Sequence, residues 1–198
     1  MPRPLIPDRR ERILDAARAL VLARGFDAMS VQAVAEQVGI AKGAVYREFA
    51  SKREILDVLL TRSMDRMNAA ASTRLGETVP PSLSRAYAVA VEVLLDDPLM
   101  TAAFLDEHGV LGSYADGVTD GRYRARHRAV VAWIEDLQGR GALSDRVASE
   151  PLALALSATT LGLLGAAKHL GPLTREDLQG ALEAVVVLVS ALEADAAE

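Results

Sequence analysis

The chain has 198 residues, 51% hydrophobic and 25% charged, with a formal net charge of −5 and no cysteine. That length can bury a real core, as one domain or as a small head on a larger body, and the lack of thiols excludes disulfides and thiolate metal sites while suiting a reducing cytoplasm. Met1 to Arg12 lacks the apolar core of an export signal, and the charge-free run 151–167 opens with proline and contains Ser157, Thr159 and Thr160, so it reads as a buried helix rather than a membrane span.

In chain order, Asp8 and Glu11 have the spacing of a capping box that opens a first helix, and Gly25 ends it. Two short helices, 31–38 and 42–49, flank Gly39. A fourth helix covers 52–75 and stops at the break 76–81, rich in Gly and Pro. Helices then follow over 83–96, halted by Asp97-Pro98, and over 99–108. A glycine-rich loop, 109–121, leads into a long helix that runs to residue 140 and ends at Gly141. The last two helices span 150–170 and 175–195, the second opened by the box Thr174 to Asp177. No strand-like alternation competes with helical spacing, so the chain reads as all-α.

The stretch Ser30 to Lys52 carries the most chemistry. Ala35 sits where two short helices pass closest, Gly39 follows where the chain must turn through a left-handed conformation, and Val45 plugs the gap between them. Val31, Val34 and Val38 supply the buried face. This is the spacing of a helix-turn-helix, which presents its second helix to the DNA major groove. Tyr46, Arg47, Phe49, Ser51 and Lys52 follow. Ser51 and Glu54 form a capping box that sets a helix N-terminus beside Lys52 and Arg53, a phosphate-binding corner. Gly43 lets the second helix approach DNA closely, Ala44 offers a methyl to thymine, and Lys42 is the long polar side chain near its start.

These residues resemble the TetR family of transcriptional repressors. The likeness rests on Gly25-Phe26 at the end of the first helix, Ser30 at the start of the second, then V-G-I-A-K-G-A-V-Y-R-E-F and S-K-R-E-I-L, and it covers about the first sixty residues. It implies an N-terminal three-helix helix-turn-helix head (residues 1–52) and a C-terminal helical body (residues 53–198) for effector binding and dimerisation. It further implies DNA contacts from Ser30, Gln32, Ala41, Lys42, Gly43, Ala44, Tyr46, Arg47, Ser51 and Lys52. Two positions depart from the family pattern. Ala41 replaces the usual Ser or Thr, and Arg47-Glu48 replaces the usual pair before Phe49. Arg47 can serve a phosphate well, whereas Glu48 would repel one and should point away.

Charge agrees with that division. Residues 1–66 carry 12 Lys/Arg against 9 Asp/Glu, and residues 67–198 carry 10 against 18, which leaves a basic head and an acidic body. Arg3, Arg9, Arg10 and Arg12 fit either an arm that reaches backbone or minor groove, or a solvated tail.

In the last helix Leu178, Leu182, Val185, Val189 and Leu192 form a heptad-like stripe, and Ala181, Ala184 and Leu188 form a second apolar face. The helix before it is apolar nearly all round. Helices apolar on two sides need neighbours on two sides, which a homodimer through the last two helices supplies, as does a central position in a monomer. For a small, largely apolar effector, Tyr87, Met100, Phe104, His108, Tyr123 and His127 offer polar-tipped aromatics, histidines and Met on inward stripes. The expected function is a ligand-responsive repressor in the cytoplasm that binds palindromic operator DNA and leaves it when the effector binds. The alternative is a helical small-molecule-binding protein or enzyme without DNA binding. Asp106, Glu107 and His108 are adjacent acid–base groups, but no HExxH, nucleophile–base pair or phosphate-cradling loop is present, so neither catalysis nor a metal or other cofactor is expected.

Overall fold

The computed structural model describes residues 8–76, 81–105, 109–117 and 122–194, with side chains except at 115–117, 122–123, 125–126, 161, 164–165, 167–168 and 194. Every regular element among these residues is helical: α1 (Arg9–Ala28), α2 (Val31–Val38), α3 (Lys42–Tyr46), α4 (Lys52–Leu75), α5 (Leu83–Asp96), α6 (Pro98–Phe104), a 3-10 turn (Gly112–Gly117), α7 (Arg122–Gly139), α8 (Ser149–Leu170) and α9 (Arg175–Ala194).

Local signals account for most helix ends. The Ser30 hydroxyl accepts from the Ala33 amide at 3.1 Å and opens α2. Gly39, with φ of 75°, closes it. The Gly39 amide donates to Glu36 O and the Ile40 amide to Ala35 O, a left-handed exit that places Ile40 against the core. At α9 the expected box forms in full, the Asp177 amide donating to Thr174 Oγ1 and the Thr174 amide to Asp177 Oδ2. At α4 it is shifted: Ser51 Oγ accepts from Glu54 N, but Glu54 Oε2 accepts from Ala50 N, one residue ahead of the cap.

One expected helix-end signal is corrected. The Asp8–Glu11 box does not form, since Asp8 makes no side-chain cap bond and Glu11 pairs with the Arg62 guanidinium of α4 at 2.7 Å. That bond and the charge of Arg62 hold the Glu11 carboxyl below its ordinary range. Gly25, at φ 75° and ψ 168°, breaks the helix as expected, and a further helical turn follows to Ala28. Asp97, extended at φ −96° and ψ 110°, ends α5 as expected. It caps α6, accepting from the amides of Leu99 and Met100 with Pro98 in the first turn, and α6 closes at Phe104.

The core falls into three clusters. The first joins α1, α2 and α3 to the opening turns of α4 through Ile13, Val21, Val34, Val45, Phe49 and Ile55, and continues into Leu99 and Ala103 of α6 and Tyr114 of the 3-10 turn. The second binds Leu83 to Ile134 and Leu137 of α7, Leu152 and Leu156 of α8, and Val189. The third packs α5 (Val91, Leu94, Leu95) on Phe104 and on Leu178 and Leu182 of α9. The α9 heptad stripe thus turns inward: Leu178, Leu182 and Val189 are buried in their own protomer, and Val185 and Leu192 pack on the second cluster. Nor is α8 buried all round, because Leu154 is 60% exposed. Among the described residues no helix is long and apolar enough to cross a membrane.

The 3-10 turn is pinned to the end of α1. The Ser113 amide and hydroxyl both donate to the Asp27 carboxylate, which holds its pKa below the ordinary value, and the Phe26 and Tyr114 rings meet edge to face at 5.8 Å. Gly112 makes this approach possible: its φ is +47°, and a Cβ there would lie 2.5 Å from Asp27 Oδ2. Gly112→Ala should therefore cost about 1–3 kcal/mol through backbone strain and displacement of a carboxylate held by two hydrogen bonds. Thermal unfolding reads it, and an unchanged Tm would deny the docking of this turn.

Candidate nucleic-acid interface

The α2–turn–α3 unit sits on the α1 and α4 scaffold through buried small and branched side chains. Ala35 is 1% exposed and Val45 0%, so the α2–α3 crossing has no room for a larger residue. What remains outward on α3 is Lys42, Gly43 and Tyr46, with Arg47 directly after it. Among the described residues nothing lies within 4 Å of where a Gly43 Cβ would stand, so the backbone is open on this face. Tyr46 is 49% exposed, and Lys42 Nζ lies 5.9 Å from its ring centroid, one helical turn away. Ala41 is exposed in extended conformation ahead of α3 and brings no capping oxygen. Gln32 is exposed on α2, its amide donating to Glu36 at 2.7 Å, and Ser30 and Ser51 stand at exposed helix caps.

Two of the expected DNA contacts face inward instead. Ala44 is buried at 7% exposure, so its methyl is not offered to a base. The Lys52 ammonium donates to the carbonyls of Phe26, Asp27 and Met29 and lies 4.4 Å from the Phe26 ring centroid. It caps the end of α1 rather than extending from the corner where Ser51 opens α4. The arginines of α1 are likewise not an arm. Arg9 pairs with the Glu48 carboxylate, Arg10 donates to Glu48 O at 2.7 Å and stacks 4.2 Å over Phe49, and Arg12 reaches Val38 O. Arg3 lies outside the described residues. Glu48 turns away from the open face, as charge repulsion requires, and its partner Arg9 was missed. The signal was present as an acid in a basic stretch with arginines one helix earlier, but the pairing spans 39 residues.

Of the six residues expected around an effector, four have described side chains, and of these Met100 and Phe104 share the third cluster. Tyr87 packs on the second cluster, Phe104 is buried in the third, and Met100 lies between the first and third. His127 Nδ1 lies 3.1 Å from Ser157 Oγ, linking α7 to α8. His108 and the side chain of Tyr123 lie outside the described residues. An open groove of about 590 Å³ between α4, α5 and α9 has other lining: Val91, Leu95 and Val187 with Arg74, Arg175 and Glu183 among its polar groups.

The family model described as bacterial regulatory proteins, tetR family, matches residues 13–59. The HTH-type transcriptional repressor KstR of Rhodococcus jostii is 33% identical over 96 residues, covering 48% of this chain and 45% of that protein. KstR of Mycolicibacterium smegmatis is 42% identical over 62 residues, 31% of this chain and 30% of the relative. The matches thus span less than half the length of these curated relatives. Across the whole body the likeness is one of fold: the fatty acid degradation regulator FadR from Bacillus halodurans superposes with a TM-score of 0.63 at 14% identity, covering 94% of this chain and 96% of that one.

Proposed function

Because the chain belongs to the tetR family of bacterial regulatory proteins, we propose that it is a cytoplasmic transcriptional repressor that binds operator DNA as a homodimer and is released by a small, largely apolar effector. The observation that carries the reading is the open face of α3, where bare backbone at Gly43 is flanked by Lys42, Tyr46 and Arg47. Lys42 and Tyr46 are long enough to reach base edges once Gly43 lets the helix sink into the groove, and Arg47 meets the adjoining phosphate. Ser30, Gln32, Ala41 and Ser51 complete the proposed contact set at the two helix starts.

Support for the dimer comes from the outer faces of α8 and α9. Leu154, Val187 and Leu188 are 60%, 67% and 72% exposed, an apolar surface that a second copy would cover. Two recognition helices one DNA turn apart then read a palindrome. Release requires that the effector bind the DNA-incompetent arrangement more tightly, typically by about 1–3 kcal/mol. The linking element is α4, whose first turns belong to the head core and whose later turns pack on α5.

A band shift against DNA upstream of the protein's own reading frame tests this. Arg47→Ala should weaken binding to every duplex alike and reduce the salt slope by about 0.9, the release expected for one phosphate contact. Lys42→Ala should cost about 1–3 kcal/mol at a matched site and much less on random DNA. Uniform loss from Lys42→Ala would remove its role in base reading, and no shift by the unaltered protein would favour a helical small-molecule-binding protein without DNA.

A further inference from the structure

Arg9 is the first residue of α1 and Glu48 lies just beyond the end of α3. Arg9 Nε donates to Glu48 Oε1 at 2.9 Å and Nη2 donates to the same oxygen. Both side chains are about four-fifths covered, at 21% and 20% exposure, so the pair is better shielded from solvent than an ordinary surface ion pair. Arg10 holds the same residue from its backbone side, through the bond to Glu48 O and the stacking on Phe49, which is itself 2% exposed. Residue 48 is thus gripped at both its carboxylate and its carbonyl, immediately after Tyr46 and Arg47, the exposed groups at the end of α3.

We infer that Arg9 and Glu48 are a charge-cancelling positioning pair for the recognition unit: Arg9 neutralises the Glu48 carboxylate at the DNA-facing end of α3 and fixes the turn that aims Arg47. The inference rests on the DNA-binding reading above. Its physical basis is that an unpaired carboxylate beside a surface that must meet phosphate opposes binding of any sequence, whereas a paired one contributes almost no field beyond its neighbourhood. Arg9 is therefore engaged with Glu48 and makes no phosphate contact.

The experiment measures affinity for a random-sequence duplex across a salt series with four proteins: unaltered, Arg9→Ala, Glu48→Gln and the double variant, each with its Tm. Glu48→Gln should bind about fivefold more tightly and Arg9→Ala about fivefold more weakly, with the double variant within about twofold of the unaltered protein. The log–log salt slope of the double variant should match that of the unaltered protein. The two substitutions should be non-additive in Tm, since each removes the same bond. Weaker binding by Glu48→Gln would reduce the pair to a folding contact and overturn the inference. So would a slope loss of about 0.9 shared by Arg9→Ala and the double variant, which would make Arg9 a phosphate ligand. Glu48→Gln keeps the shape of the side chain, so the sign of its effect is readable even if Arg9→Ala folds poorly. If the unaltered protein itself ignores the duplex, the DNA-binding reading fails, an outcome distinct from either result on the pair.

Discussion

Lys52→Met should lower stability by about 2 kcal/mol and leave the salt dependence of DNA binding unchanged. The ammonium has three hydrogens, and three carbonyls receive them, those of Phe26, Asp27 and Met29 at 3.1, 3.2 and 3.3 Å. No donor is left for a phosphate. Two acceptors are terminal carbonyls of α1 and the third belongs to its C-cap, Met29, where the helix dipole favours a cation, and the Phe26 ring lies under the same charge. Met keeps the stem and its packing while removing the charge and donors, so the loss isolates the cap. In a chain of this length, about 2 kcal/mol corresponds to a fall in Tm of roughly 4–8 °C. Affinity measured well below the transition should hardly move. Intact Tm with a salt slope reduced by about 0.9 would reverse the assignment and return Lys52 to the DNA.

That residue marks a boundary in what the chain discloses by itself. Ala35, Gly39 and Val45 were legible because their roles are set within a dozen residues: a tight crossing, a left-handed exit and a plug, all present as expected. The Thr174–Asp177 box was legible for the same reason. Lys52 was not, because its acceptors lie on a helix that ends more than twenty residues earlier, and motif spacing says nothing of which way a long flexible side chain turns. The Asp8–Glu11 box failed similarly, its carboxylate captured by Arg62 from 51 residues away. Ala44 is a subtler case. In a helix as short as α3 one residue of rotation exchanges the open face for the buried one, and only packing against α2 decides it. The heptad of α9 was real as a pattern but silent on its partner: α5 and the second cluster take the stripe that a second subunit could have taken. The proposed dimer surface therefore rests on the other side of the helix, on Val187 and Leu188.

Asp97→Ala should be the most destabilising of the substitutions considered, by about 3 kcal/mol, and should flatten the acid limb of the stability curve. Asp97 is 7% exposed and performs two tasks with one carboxylate. Its Oδ1 accepts from Leu99 N and Met100 N, capping α6, and its Oδ2 accepts from Arg66 of α4, which also donates to the buried Ser63 hydroxyl. Burial alone would push its pKa up. The Met100 amide, the Arg66 guanidinium and the Ser63 hydroxyl outweigh it and hold the carboxyl below the ordinary range. A carboxyl with a depressed folded pKa binds its proton more readily in the unfolded chain. Its stabilisation is therefore complete above the unfolded pKa of about 4 and is lost as pH falls from there through the folded value. Most of the cost should come from the lost cap and buried acceptor, because the Arg66 side chain is 57% exposed and screened. Asp97→Asn, which keeps an acceptor for the α6 amides but no charge, should recover about half the loss and none of the pH dependence. Denaturant midpoints measured from neutral pH down to the acid transition separate these cases: an Asp97→Ala curve that falls in parallel with the unaltered protein would mean that this carboxylate does not tie α4 to α6. If the tie holds and DNA is released by a displacement of α4 as proposed, that displacement must either carry α6 with it or break the Arg66–Asp97 bond. Asp97→Asn should then shift the balance between DNA-bound and released forms as well as stability.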